Sequence, residues 1–211
     1  MKPKSVVVIS AHHEASPSLR VSSGFHPDLF DEEYPVSIDP ELAKKVQNLL
    51  QDKNIPCDLD DRHHLDHGAL TPMMIAFPDA DVPVAALSLH KSMDPEKHLK
   101  IGEALQSLRK EGVLIMGSGM SFHNLRSLFA GNAKGEDFDK SLTNAITHSD
   151  PKHRNELLKK WNLFPDARRV HPREEHLMPL FVVAGAAGSS VGRQSESFTF
   201  MGAPVSSYSF P

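Results

Sequence analysis

Four short clusters in this chain set a histidine at the end or the start of an apolar run. They are His12-His13-Glu14 after VVVISA, Asp66-His67-Gly68, Phe122-His123-Asn124 after VLIMGSGMS, and Glu174-Glu175-His176 before LMPLFVVAGAAG. Neutral imidazole is a ligand for Fe(II) and Zn(II), and two histidines plus a carboxylate with open positions is the arrangement of non-haem Fe(II) oxygenases. A histidine left off the metal, with a pKa near neutrality, can carry protons. The chain has 13 histidines but one cysteine, Cys57. That excludes an intramolecular disulfide and a cysteine-rich zinc site, and fits a reducing, cytoplasmic setting. No pair has the His-Glu-x-x-His spacing of a zinc protease. His26, His63, His64, His90, His98, His148 and His153 read as ordinary solvated or structural side chains.

Elements that would position these clusters can be read from the apolar pattern. Val6 to Ile9 form a β-branched run expected to be a strand buried on both faces, with His12 just beyond it. Val82 to Leu89 and Val113 to Gly119 read as two more buried strands, the last running into His123. Asp39-Pro40 and Asp94-Pro95 each open a helix, and Gly112 is placed to stop the second. CDLD reads as a weak strand, TPMMIAF as a short helix, residues 15–38 as a long loop, and the segment after Lys134 as two charged helices. The tail alternates as one or two edge strands would. Strand and helix in turn predict a single α/β domain with a mostly parallel central sheet and helices on both faces. In such sheets chemistry gathers at the carboxyl ends of the strands, where His12 and His123 would stand.

Composition narrows the function classes. A net charge of −4 argues against nucleic acid or an anionic membrane as the partner. No stretch approaches the roughly 18 apolar residues of a membrane span, and the N-terminus lacks a signal-peptide pattern. MGSGMS is neither a dinucleotide fingerprint nor a P-loop, so its glycines are expected to let the backbone approach a neighbour or substrate closely. Ser118 and Ser121 lie near His123, yet no Gly-x-Ser-x-Gly elbow is present, which disfavours a serine hydrolase.

Taken together, VVVISAHHE, LDHGALTPMMIAFPDADVPVAALSL, DPEKHLKIGEALQSLRKEGVLIMGSGMSFHNL and HPREEHLMPLFVVAGAA resemble the class III extradiol ring-cleavage dioxygenases, in their 4,5-DOPA dioxygenase extradiol branch. The similarity runs over about residues 5–190. It implies one catalytic domain over residues 1–211, one Fe(II) or Zn(II) per chain, and ring opening of a small aromatic diol, DOPA-like, by O2. By the same resemblance His12 and His176 would be metal ligands. His123 would be the acid–base residue beside the metal, sometimes counted as a ligand, and His67 would hydrogen-bond substrate or oxygen.

The chain departs from the family at one point. Members usually begin with an earlier strand ending in His-Gly-Ser-Pro, whose histidine is a further ligand, and this chain has no such motif. His13 stands where a tryptophan is usual. His13, Glu14 or His26 could substitute; His123 could complete a three-histidine site with His12 and His176; or metal binding could be weak. His12 and Glu14 would share a strand face and His12 and His13 would not. A sheet edge left open by the missing strand would favour a homodimer. A catalytically silent metal-binding homologue and a zinc-dependent hydrolase are the rival readings.

Overall fold

The computed structural model describes residues 2–24, 34–62 and 65–211, so His26, His63 and His64 lie outside the described residues. Along the chain run β1 (Ser5–Ala15), β2 (Leu19–Ser22), α1 (Pro40–Gln51), β3 (Cys57–Asp60), α2 (His67–Ala76), β4 (Val84–His90) and α3 (Pro95–Leu105). They are followed by β5 (Val113–Ser118), α4 (Leu125–Phe129), α5 (Glu136–Ile146), α6 (Pro151–Lys159), α7 (Ala167–Val170), α8 (Met178–Ala186), β6 (Arg193–Phe200) and β7 (Ala203–Ser209).

The central sheet has the order β3-β2-β4-β1-β5. β1 pairs in parallel with both β4 and β5, β2 pairs in parallel with β3, and one antiparallel bridge joins β2 to β4. The sheet is therefore mostly parallel, and the carboxyl ends of β4, β1 and β5 emerge at one edge. Val6, Val7, Val8 and Ile9 are fully buried. Their alternation feeds two cores, because successive side chains point to opposite faces. Val7 and Ile9 pack in the core that holds Leu42 and Val46 of α1, Leu99 and Leu105 of α3, and Phe181 of α8. Val6 and Val8 join Tyr34, Val36, Leu65 and Met73 of α2 on the other face. Helices thus cover both faces, and each fully buried Val, Leu or Ile contributes roughly 1.5–3 kcal/mol relative to exposure.

Local chemistry sets the helix boundaries. Asp39, Asp94 and Asp150 accept hydrogen bonds from the first turns of α1, α3 and α6, each followed by a proline suited to that turn. The helix beginning at Pro95 tightens into a 3₁₀ segment, Gln106–Glu111, and stops at Gly112, whose φ of 84° suits glycine.

Three expectations are corrected. The region 15–38 is not all loop, since Leu19–Ser22 pairs with β3 and β4. Four residues interrupted by Arg20 are too few to stand out as a strand. β5 is an edge strand rather than a buried one, with Leu114 38% exposed, because β1 pairs with only one side of it. The tail does not join the central sheet; β6 and β7 form their own antiparallel pair. Among the described residues no helix is long and apolar enough to cross a membrane.

Candidate metal centre

His12 owes its position to a break in the ladder. β1 advances from Ile9 to Glu14 while its partner β4 advances only from Leu87 to Leu89, so β1 bulges out of register where His12 sits. The His12 backbone N–H donates to Ser10 Oγ at 3.1 Å, and Ser10 Oγ donates to Asp66 Oδ1 at 2.6 Å. The same Asp66 oxygen caps α2 by accepting from the Gly68 N–H at 2.7 Å. This chain of bonds docks the start of α2 on β1. His67, the first residue of α2, then stands with its ring 4.2 Å from that of His12. β3 runs opposite to β1, so it is the start of α2, rather than a strand end of the parallel set, that delivers His67.

His123 and His176 arrive together. Past β5 the Met120 N–H donates to the His176 carbonyl at 3.0 Å, and the His123 N–H donates to the Val170 carbonyl at 3.2 Å. A Cβ on Gly119 would lie 2.2 Å from the His176 carbonyl oxygen, so this approach requires glycine, as expected for MGSGMS. Buried His171 adds a further tie through its Nε2, 3.0 Å from the Ser121 carbonyl that accepts its proton. Asn124 caps α4 and donates to the Arg169 carbonyl. The His123 and His176 rings end up stacked, 3.3 Å apart and 14° from parallel.

The histidines then meet across the site, with His12 Nε2 3.1 Å from His176 Nε2. Glu175 Oε1 lies 3.2 Å from His176 Nδ1 and 3.4 Å from His123 Nδ1. His12 Nδ1 is 3.8 Å from Asp66 Oδ1. Two sets of ligand-capable groups result, His12–Asp66–His67 and His123–Glu175–His176, each with its donor atoms within 4.8 Å of one another. Burial pushes His176 down to about 4, helped by its neighbours His123 and His12 and opposed by Glu175. Burial also lowers His123, again against the pull of Glu175. Burial alone would raise Glu175, but backbone hydrogen bonding, His176 and Arg173 together hold it below the usual carboxylate range. At neutral pH His123 and His176 are therefore neutral imidazoles beside a charged Glu175, the protonation states a metal needs.

All four histidines singled out in the sequence, His12, His67, His123 and His176, are gathered here. His13 is buried, unlike its exposed neighbour His12, and Glu14 accepts a 2.7 Å hydrogen bond from Arg173. His90 bonds Ser92, His98 bonds Asp94 and the His90 N–H, and the His148 ring lies tilted 4.4 Å from that of His153, so none of these joins the cluster. Sequence reading gave no role to Asp66, Glu175, Arg173 or His171. The signal available for the two carboxylates was only that each precedes a histidine.

Comparison with known proteins places the chain in a class. The family described as the catalytic LigB subunit of aromatic ring-opening dioxygenase matches residues 1–211, and the chain belongs to it. A 4,5-DOPA dioxygenase extradiol of Beta vulgaris is 36% identical over 208 residues, covering 90% of this chain and 75% of that protein. Its namesake from Mirabilis jalapa is 35% identical over 203 residues, with the same two coverages, 90% and 75%. An uncharacterized protein of Escherichia coli K12, JW3007, superposes with a TM-score of 0.82 at 28% identity, over 98% of this chain and 86% of its own.

Proposed function

We propose that this chain is an extradiol ring-opening dioxygenase that binds one Fe(II) or Zn(II) through His12 and His176 and acts with O2 on a catechol-type aromatic, DOPA-like by family. The observation that carries this reading is the pair of Nε2 atoms facing each other at 3.1 Å. His176 Nδ1 lies 3.2 Å from Glu175 and His12 Nδ1 3.8 Å from Asp66, so at this separation the two Nε2 atoms can share one proton or face one cation. Two nitrogens bound to one ion at about 2.0–2.1 Å each, at a tetrahedral angle, would stand about 3.3 Å apart. The Glu175 Oε2 atom, buried without a hydrogen bond and 3.7 Å from Arg173, adds negative charge behind the histidines. The residues present therefore fit a divalent metal.

When bound, Fe(II) would hold catecholate and O2 side by side and lower the catechol's pKa. The chain's own residues do the rest. His123 is neutral and its Nδ1 faces Glu175, which leaves Nε2 to accept a phenolic proton or to serve as a third ligand. His67, beside His12 at the mouth of the site, donates or accepts a hydrogen bond at the diol or oxygen. A groove of about 480 Å³ runs along the unpaired side of β5, over residues 113–117, and reaches His176 but not His12, His67 or His123.

Metal content and catechol-dependent oxygen uptake, measured on protein reconstituted anaerobically with Fe(II), test the reading. Near-stoichiometric metal that is lost in His12→Ala and His176→Ala, with coupled oxygen consumption and ring-opened product, is expected. Metal without turnover would favour a silent homologue or a zinc hydrolase, and no metal would sink the reading.

A further inference from the structure

We propose that Glu175 is a positioning residue that fixes the ring tautomers of His123 and His176 together, turning both Nε2 atoms into lone pairs toward the centre. The inference rests on the metal-centre reading above for its purpose, but not for its geometry. One carboxylate oxygen, Oε1, lies at the edge of both stacked rings, 3.2 Å from His176 Nδ1 and 3.4 Å from His123 Nδ1. An ionised carboxylate only accepts, so the hydrogen-bonded His176 Nδ1 carries its proton, and the same oxygen 3.4 Å from His123 Nδ1 favours a proton there as well. A neutral imidazole has one N–H, and the proton on Nδ1 leaves Nε2 bare.

The carboxylate is held in place from its other side. Arg173 reaches Glu175 Oε2 at 3.7 Å while donating to Glu14 Oε2 at 2.7 Å. The guanidinium therefore ties the segment carrying Glu175 to the end of β1 that carries His12. Glu175 and His176 are adjacent in sequence, yet the backbone of this irregular turn brings the acid to its neighbour's Nδ1. A partner on the far ring nitrogen that fixes tautomer and orientation is the usual support of a metal-binding histidine. Here one residue serves two rings, which makes the stack a single unit.

The tautomers can be read directly from long-range proton–nitrogen NMR correlations of nitrogen-labelled, metal-free protein at neutral pH. His98 is the internal standard, since its Nδ1 faces the Asp94 carbonyl at 2.7 Å and its Nε2 accepts from the His90 N–H at 3.2 Å. In the parent chain His123 and His176 are expected to share the Nδ1–H form of His98. In Glu175→Ala both should lose it while His98 keeps its own, and in Glu175→Gln the amide oxygen should preserve it. Zn(II) affinity, from chelator competition, should fall about 10–100-fold in Glu175→Ala and recover in Glu175→Gln. If Glu175→Ala fails to fold, Glu175→Asp, one methylene short of both rings, is expected to show the same loss. Unchanged tautomers at His123 and His176 in the shortened variants would overturn the proposal. So would loss of Zn(II) as complete as in His176→Ala, which would make Glu175 a direct ligand. A parent chain that binds no metal would refute the metal-centre reading while the tautomer result still decided the role of Glu175.

Discussion

At the residue scale, four of the 13 histidines stood out because each closes or opens an apolar run, and their separate roles came from the family resemblance. Their supporting carboxylates were not. Asp66 precedes His67 in sequence but lies beside His12, and Glu175 serves His123 across the site as well as its neighbour. Spacing along the chain cannot show such crossed partnerships. His171 also went unread, because a buried imidazole tying a loop through one carbonyl leaves no pattern. The two proposed duties of His123, base and third ligand, separate in one variant. Its Nε2 cannot hold a metal and accept a proton at once. As a base, its loss in His123→Ala should leave metal content unchanged while kcat for a catechol falls by about 10²–10⁴. Metal lost to the extent seen in His12→Ala would identify a ligand instead. As burial lowers its pKa, His123 in the metal-free chain is deprotonated already at pH values below the ordinary 6.5. The acid limb of its titration, followed by NMR, should accordingly lie below that of an exposed histidine.

At the element scale, the α/β rhythm was visible in the sequence wherever an apolar run was long. β1, β4 and β5 carry such runs, and the aspartate–proline pairs at 39–40 and 94–95 marked α1 and α3. What escaped was set by packing rather than by local pattern. β2 is too short to show a period, and β5 reads as buried although only one of its edges is paired. The bulge that frees His12 depends on the register against β4, which no single strand encodes. Close backbone approaches are a further case. A Cβ at Gly185 of α8 would lie 2.1 Å from the Leu99 carbonyl of α3, and one at Gly102 of α3 would lie 1.9 Å from the Val182 carbonyl. These atoms belong to backbone and cannot swing aside. Gly185→Ala should therefore destabilise the chain by about 1–3 kcal/mol in urea unfolding, whereas an unchanged midpoint would show that the helices separate freely. Gly119→Ala should act on the site, displacing the His176 backbone and weakening Zn(II) binding, with a smaller effect on the unfolding midpoint.

Across the whole molecule, the sheet and its two cores hold the site, and two fully buried histidines, His98 in α3 and His171 behind the site, shape the response to acid. Burial pushes His98 and His171 down to about 4, against small opposing contributions from their backbone carbonyl partners. In the unfolded chain both would titrate near 6.5. Between those values the unfolded state binds more protons, so stability is present above about 6.5 and falls as the pH drops towards 4. Each buried histidine should contribute a loss on the order of 1–3 kcal/mol across that window. His98→Gln should flatten the slope of unfolding free energy against pH there, and an unaltered slope would show that His98 is not buried neutral. At this scale the chain spans 75% of the length of the Beta vulgaris relative, so its activity has to be measured on this chain itself.

The central claim is that His12 and His176 hold one divalent metal on which a catechol is opened by oxygen. Its most direct test is oxygen uptake by Fe(II)-reconstituted protein on adding a catechol, with His12→Ala and His176→Ala run beside it. The account predicts uptake coupled to ring-opened product in the parent chain and to neither in the variants. Stoichiometric Fe(II) binding with no uptake for any catechol tried, or uptake that persists in both variants, would contradict it.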